Sequence, residues 1–174
     1  MTDYAYGYCG MLCALCTRYR TNGTSRCPGC SKDGYYTEAC KAHHCCRGKG
    51  LAHCGLCAEF PCARLGKMSD FRDLNTGHAK ERACVAVAAH GFDAWHAEYA
   101  MRAQLLDAAL LRYNDGRMKR FLCELFLQQD IETLREIMRR AEDIAGDPKQ
   151  NGKRFRLIVE EVLAAGANIP RPIL

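Results

Sequence analysis

Cysteine pairs separated by two residues are the most conspicuous chemistry in this sequence. Three such C-x-x-C pairs occur within the first 60 residues: Cys13/Cys16, Cys27/Cys30 and Cys54/Cys57. Zinc and iron–sulfur sites need several soft thiolates at one point, and a C-x-x-C turn, here called a knuckle, supplies two of them. In the second knuckle Pro28 fixes the backbone and Gly29 permits the tight turn. Further thiols can complete the sets: Cys9, Cys40, Cys45, Cys46 and Cys62.

The number of thiols limits the number of sites. Two four-coordinate sites need eight ligands, and a third would have to add a histidine such as His43, His44 or His53 to the eleven early cysteines. We therefore predict two metal ions. Zinc is favoured because knuckles from distant segments resemble structural zinc sites, and an iron–sulfur cluster on the same residues is the open alternative.

Cysteine usage also indicates the compartment. The chain has thirteen cysteines, an odd number, and starts Met1-Thr2-Asp3-Tyr4 without the apolar region of a signal peptide. No run approaches the roughly 18 apolar residues that a membrane span requires. We expect a cytoplasmic protein without membrane contact, in which thiolates bind metal instead of forming disulfides.

The net charge of +5 does not by itself indicate a nucleic-acid partner. Residues 1–66 hold 8 Lys and Arg against 4 Asp and Glu, so the basic excess lies among the cysteines. Two divalent ions with eight thiolates would add a net charge of about −4 and cancel this excess. Nucleic-acid binding through the basic knuckles is thus an alternative that we do not favour.

The chain divides by sequence character into two predicted domains. Residues 1–66 lack a long apolar period, so we expect an irregular module of knuckles and loops, with one or two brief helices, that metal stabilises. Residues 67–174 show helical periodicity and predict an all-α bundle of about five helices with a short extended tail. The predicted helices start at Thr76, Asp93, about Met118, Asp130 and about Lys153.

The spacing C-x-x-x-C-x-x-C at residues 9–16 is also the cluster signature of radical S-adenosylmethionine enzymes. Those enzymes place the signature on a barrel of alternating strands and helices. The helical pattern from residue 77 onward excludes that architecture.

Three stretches together resemble the domain-of-unknown-function 3795 family, which comprises small cysteine-rich prokaryotic proteins. They are "YCGMLCALCTRYR", "CPGC" and "CCRGKGLAHCGLCAEFPCARL", and the resemblance covers about residues 6–66. It implies metal binding, and its frequent anaerobic setting supports the iron–sulfur alternative. Its recurring cysteine set corresponds here to Cys9, Cys13, Cys16, Cys27, Cys30, Cys40, Cys45, Cys54, Cys57 and Cys62. The usual pattern has one more cysteine shortly after Cys40, where this chain has His43 and His44, and Cys46 is an extra thiol.

Our first hypothesis is a non-enzymatic metalloprotein whose helical half meets a protein partner. No acid–base pair or nucleophile–base arrangement in the sequence indicates an enzyme. The second hypothesis is an iron–sulfur electron carrier or redox sensor. Cys45 and Cys46 could instead form a reactive thiol pair, although one of two adjacent cysteines more often packs. Cys84 and Cys123 lie in apolar stretches and are expected to be small buried hydrophobes.

Overall fold

The computed structural model describes residues 4–32, 36–69 and 79–166. Within these ranges the chain forms helices and contains no strand, which confirms the all-α prediction for the second half. The helices are α1 (Lys41–Gly48), α2 (Ala63–Ser69), α3 (Ala79–His90), α4 (Phe92–Tyr113), α5 (Lys119–Gln128), α6 (Ile131–Arg140) and α7 (Pro148–Gly166). No helix in these ranges is long and apolar enough to span a membrane.

Contacts divide the chain into two compact units, residues 1–100 and 101–174. The first unit contains the cysteine-rich segment together with α1, α2, α3 and the start of α4. The second contains the remainder of α4 with α5, α6 and α7. The domain boundary between residues 66 and 67 was drawn from a change in sequence character, and it stays a prediction.

Short 3-10 turns shape two of the knuckles in the first unit. One turn spans Cys13–Leu15 and the other spans Cys54–Leu56. Helix α3 packs against the second turn so closely that a Cβ atom on Gly55 would lie 2.4 Å from the carbonyl oxygen of Cys84. Real Cβ atoms do not approach backbone so closely, so this contact requires glycine at position 55.

An apolar interior holds the second unit together. Leu106, Leu122, Phe126, Leu134 and Phe155 are each fully buried. The ring of Phe155 stacks on Tyr113 at 4.4 Å between ring centres, and the Tyr113 hydroxyl donates a 2.8 Å hydrogen bond to the carbonyl of Ala141. This is the packing that the amphipathic stripes predict.

Two predicted helix starts differ in their outcome. Asp130 caps α6 as predicted, because its Oδ1 accepts a hydrogen bond from the Thr133 amide at 2.8 Å. The last helix starts at Pro148, five residues before the predicted Lys153. A proline suits the first turn of a helix because its missing N–H would have no intrahelical partner there.

The other starts are closer to prediction. Helix α4 begins at Phe92, which places Asp93 in its first turn instead of at the cap. Met118 directly precedes α5. The predicted cap Thr76 and the predicted extended tail lie outside the described residues.

Candidate functional site

The predicted ligands are all free thiols, since none of the thirteen cysteines is in a disulfide. In the described ranges, no three His, Cys, Asp or Glu side chains are placed so that they could hold a metal ion. What the structure shows instead is thiols brought together in pairs and along one cavity.

The first contact joins two knuckles. The Cys30 amide donates a hydrogen bond to Sγ of Cys13 at 3.3 Å, and the two thiol groups also interact. That interaction, followed by burial, raises the pKa of Cys13 far above its usual value, and the nearby Cys16 adds to the effect. Amide hydrogen bonds to sulfur are a common feature of metal–thiolate sites. The structure thus brings together Cys13, Cys16 and Cys30.

The turn at Cys27–Cys30 has the backbone that its sequence predicts. Gly29 has a φ of +93°, and a Cβ atom there would lie 2.4 Å from Cβ of Ala5. A side chain at this position would therefore be both strained and obstructed. The role given to Gly29 on sequence grounds is confirmed.

A buried tyrosine holds the first knuckle from a distant helix. The amide of Ala14, inside the Cys13–Cys16 turn, donates to the Tyr99 hydroxyl at 2.7 Å. The same hydroxyl donates to the carbonyl of Ala5. Tyr99 is 2% exposed, and burial raises its pKa well above the usual value, so the hydroxyl keeps its proton. One side chain of α4 therefore fixes two segments near the first cysteines.

The second group of thiols lines a cavity of about 240 Å³. Its cysteines are Cys45, Cys46, Cys54, Cys57 and Cys62. The closest pair is Cys46 and Cys54, whose Sγ atoms are 3.4 Å apart. Burial is the largest cause of the raised pKa of each of these two thiols. We call this space the thiol cavity.

A cation lies at one side of the thiol cavity. Nζ of Lys49 is 3.6 Å from Sγ of Cys57 and 2.7 Å from a carboxylate oxygen of Glu59. Arg64 also lines the cavity. These cations can offset part of the negative charge that thiolates would place there.

A third group of contacts surrounds Cys9. It forms a buried hydrophobic cluster with Ala42, Leu65 and Cys84, and Cys40 packs against this cluster. Burial, with a smaller contribution from Cys40, raises the pKa of Cys9 to about 12. Lys80, which is only 5% exposed, acts against this rise by favouring the thiolate of Cys9. A cation is thus buried close to one of the predicted ligands.

Histidines had been considered as ligands for a third site. His53 is fully buried, and its Nδ1 accepts a 3.1 Å hydrogen bond from the Gly55 amide. Burial lowers its pKa to about 4, so the ring is neutral. His44 is hydrogen-bonded through Nε2 to the carbonyl of Glu38 at 2.7 Å. In each of these two rings, one nitrogen is therefore hydrogen-bonded to the backbone.

Comparison with known proteins identifies the cysteine-rich segment. Residues 5–67 match the model of a family described as "Protein of unknown function (DUF3795)". The predicted resemblance is confirmed. The comparisons with curated proteins and with solved structures gave no match.

The DUF3795 match ends before several residues that pack on it. Lys80, Cys84 and Tyr99 lie beyond residue 67, yet they belong to the same compact unit as the matched segment. The match covers the thiol cavity and both 3-10 turns. In the structure, residues 5–67 therefore contact side chains that lie outside the range matched by the family.

Two sequence-based expectations about single cysteines had different outcomes. Cys84 and Cys123 are buried on helices, 0% and 2% exposed, as predicted. Cys46 was left out of the predicted ligand set, although the structure places it in the thiol cavity beside Cys54. The buried residues of α1 are Ala42, His43 and Cys46, and the four-residue spacing of Ala42 and Cys46 is the sequence signal that could have identified this inward face.

Proposed function

We propose that this protein binds metal through the thiolates of its first unit, with zinc as the ion and about two ions per chain. The ligands would come from the ten predicted cysteines, with one group near Cys13 and Cys30 and another in the thiol cavity. The metal would have a structural role. The observation that carries the proposal is the contact between sulfur atoms of separate segments, Cys13 with Cys30 and Cys46 with Cys54.

The separation of Cys46 and Cys54 supports metal binding over a disulfide. A disulfide requires sulfur atoms about 2.0 Å apart. Two sulfur ligands on one tetrahedral zinc, at bonds of about 2.3 Å, lie about 3.8 Å apart. The observed 3.4 Å is much closer to the second value. Small side-chain rotations would therefore suffice to place this pair around an ion.

The energetics of the first unit point the same way. Its interior contains Cys9, Cys13 and Cys46 in positions that larger apolar side chains would otherwise fill. A segment with so little hydrocarbon gains limited free energy from burial. Metal–thiolate bonds form only in the folded chain, so their binding free energy adds to folding stability.

An iron–sulfur cluster on the same cysteines is the second candidate. The thiol cavity, at about 240 Å³, has room for more than a single ion. Its five cysteines also exceed the four that one zinc ion needs. A cluster in this cavity would make the protein an electron carrier or a redox sensor.

Nucleic-acid binding is a further alternative, and an arginine–tyrosine surface gives it specific support. The guanidinium of Arg26 lies 4.9 Å from the centre of the Tyr19 ring, and that of Arg18 lies 5.8 Å from the Tyr36 ring. The sequence has no acidic residue between Asp3 and Asp33. Binding of single strands to this surface would weaken steeply with salt, whereas flat salt dependence would exclude it.

Metal analysis of anaerobically purified protein tests the proposal. Element-resolved X-ray fluorescence, with the protein concentration measured separately, should give about two zinc ions per chain in a colourless sample. A brown sample containing iron and sulfide would favour the cluster instead. Protein that contains neither metal, and takes up neither, would contradict metal binding. The protein partner predicted for the helical half stays a prediction.

A further inference from the structure

Cys46 differs from an ordinary buried cysteine in what surrounds its sulfur. It is 2% exposed on α1, and its Sγ lies 3.4 Å from Sγ of Cys54. Cys45 and Cys57 line the same cavity, as does Lys49. A thiol among three others and a cation is in a polar site, even though solvent does not reach it.

Cys84 shows what a buried structural cysteine looks like in the same unit. It is fully buried and belongs to the cluster with Ala42 and Leu65. It does not line the thiol cavity, whereas Cys46 does. Cys84 also has thiols nearby, those of Cys9, Cys46 and Cys62, so the two cysteines differ in the cavity that Cys46 lines and Cys84 does not. Because their exposure is similar, they form a matched pair for experiment.

The position of Cys46 on its helix also separates it from Cys45. Adjacent residues of an α-helix point about 100° apart, so the two thiols cannot approach one ion from the same direction. Cys46 is the more buried of the two and contacts the sulfur of Cys54. Cys54 is itself a predicted ligand from a knuckle. The contact between these two sulfur atoms thus brings α1 next to that knuckle.

We infer that Cys46 is a thiolate ligand of the metal in the thiol cavity, together with Cys54 and thiolates drawn from Cys45, Cys57 and Cys62. This inference rests on the proposed metal binding and adds a ligand to the predicted ten. The ligand class is a soft, thiophilic cation, either a zinc ion or the iron of a cluster. Cys46 is a free cysteine and forms no disulfide.

The test compares full-length wild type, Cys46→Ser and Cys84→Ser, all purified anaerobically and loaded with zinc. Competition with a chelator measures the affinity for each ion. Cys46→Ser should lose at least about 100-fold in affinity for one ion, since even residues that only support a ligand cost 10–100-fold. Cys84→Ser should keep both affinities. Unchanged affinities in Cys46→Ser would overturn the assignment.

Substitution of zinc by cobalt gives a measurement that distinguishes a metal ligand from a cysteine that is only packed. The intensity of the sulfur-to-cobalt absorption reports the number of thiolate ligands, so Cys46→Ser should lose the share of one thiolate while Cys84→Ser loses none. An unchanged band in Cys46→Ser would contradict ligation.

A measurement on wild type covers the case in which Cys46→Ser does not fold. Zinc should slow alkylation of Cys46 more than that of Cys84, as followed by mass spectrometry at fixed chelator concentration. Equal protection of the two thiols would mean that Cys46 is only buried. Wild type that binds two ions without protecting Cys46 defeats this inference alone, whereas wild type that binds no metal defeats the proposed function as well.

Discussion

The two units differ in the side chains that they bury. The buried apolar side chains described in residues 101–174 are mainly Leu, Ile, Phe and Val, with some Ala, Met118 and Cys123, and Tyr113 stacks on Phe155 among them. Those described in residues 1–100 are mainly Ala and Cys, with two Tyr and only three larger aliphatic residues, Leu15, Leu65 and Val87. Hydrocarbon packing can stabilise the second unit without any ligand. The first unit buries fewer large apolar side chains, and two of its sulfur atoms, those of Cys46 and Cys54, are in contact.

The difference shows that dense cysteine is not simply a substitute for an apolar core. Cys84 and Cys123 are buried on helices and do not line the thiol cavity. Cys46 and Cys54 instead meet sulfur to sulfur beside a cavity. Position within the fold, and not residue type, separates structural thiols from candidate ligands.

The strongest effect on the apolar unit should come from Phe155→Ala. Phe155 is fully buried and stacks on Tyr113, so its removal leaves a cavity and should cost about 3–5 kcal/mol in unfolding free energy. Leu157→Ala on the same helix is the control, because Leu157 is 59% exposed and should change stability by less than about 0.5 kcal/mol. Urea unfolding measures both. Equal effects would show that α7 does not pack as described.

The corresponding test of the cysteine-rich unit is Gly55→Ala. The added methyl group would meet the carbonyl of Cys84 and the side chain of Val87, so α3 and the knuckle must separate. We expect a loss of about 1–3 kcal/mol. Gly66→Ala in α2, where nothing lies within 4 Å of the new Cβ, should be neutral or stabilise by up to about 1 kcal/mol. Denaturation monitored by Trp95 fluorescence measures the stability of both variants. Equal stabilities would show that α3 does not contact Gly55 as described.

Two buried tyrosines allow the units to be compared by the same substitution. Tyr99→Phe leaves the Ala14 amide and the Ala5 carbonyl without their partner, whereas Tyr113→Phe affects only the Ala141 carbonyl. We expect a cost of about 1–3 kcal/mol for Tyr99→Phe and about 1 kcal/mol for Tyr113→Phe. Amide exchange at Ala14 should accelerate in the first variant only. Unchanged exchange at Ala14 would show that Tyr99 does not hold the knuckle.

The smallest effect concerns a single helix cap in the apolar unit. Asp130→Ala removes the acceptor for the Thr133 amide and should destabilise the protein by about 1 kcal/mol. Asp130→Asn keeps an acceptor oxygen and should recover most of this loss. Thermal unfolding of the two variants measures the difference. An alanine variant as stable as the asparagine variant would argue against the cap.

The helical half was predictable because its signals are local. Asp130 lies directly before an apolar stripe, and Gly91 ends α3 with a φ of +84°. Both features act within one helical turn, so the sequence near them is sufficient. The start of α7 at Pro148, and not at about Lys153, was missed because a proline suits the start of one helix as well as the end of another.

The cysteine-rich half was less predictable because its contacts join distant residues. The knuckle spacing identified candidate ligands, but it could not show that Cys13 lies beside Cys30 or that Cys54 lies beside Cys46. The contact at Gly55 depends on a missing side chain, which no apolar pattern reports. The hydrogen bond from Ala14 to Tyr99 spans 85 residues. None of these contacts leaves a periodic signal.

Residue-resolved hydrogen exchange, with and without a metal chelator under anaerobic reducing conditions, tests the central claim most directly. If metal–thiolate bonds stabilise the first unit, chelation should remove protection from amides near the knuckles, such as Ala14 and Gly55. Amides in α5, α6 and α7 should keep theirs. A chelated protein that retains protection in both units would contradict the account.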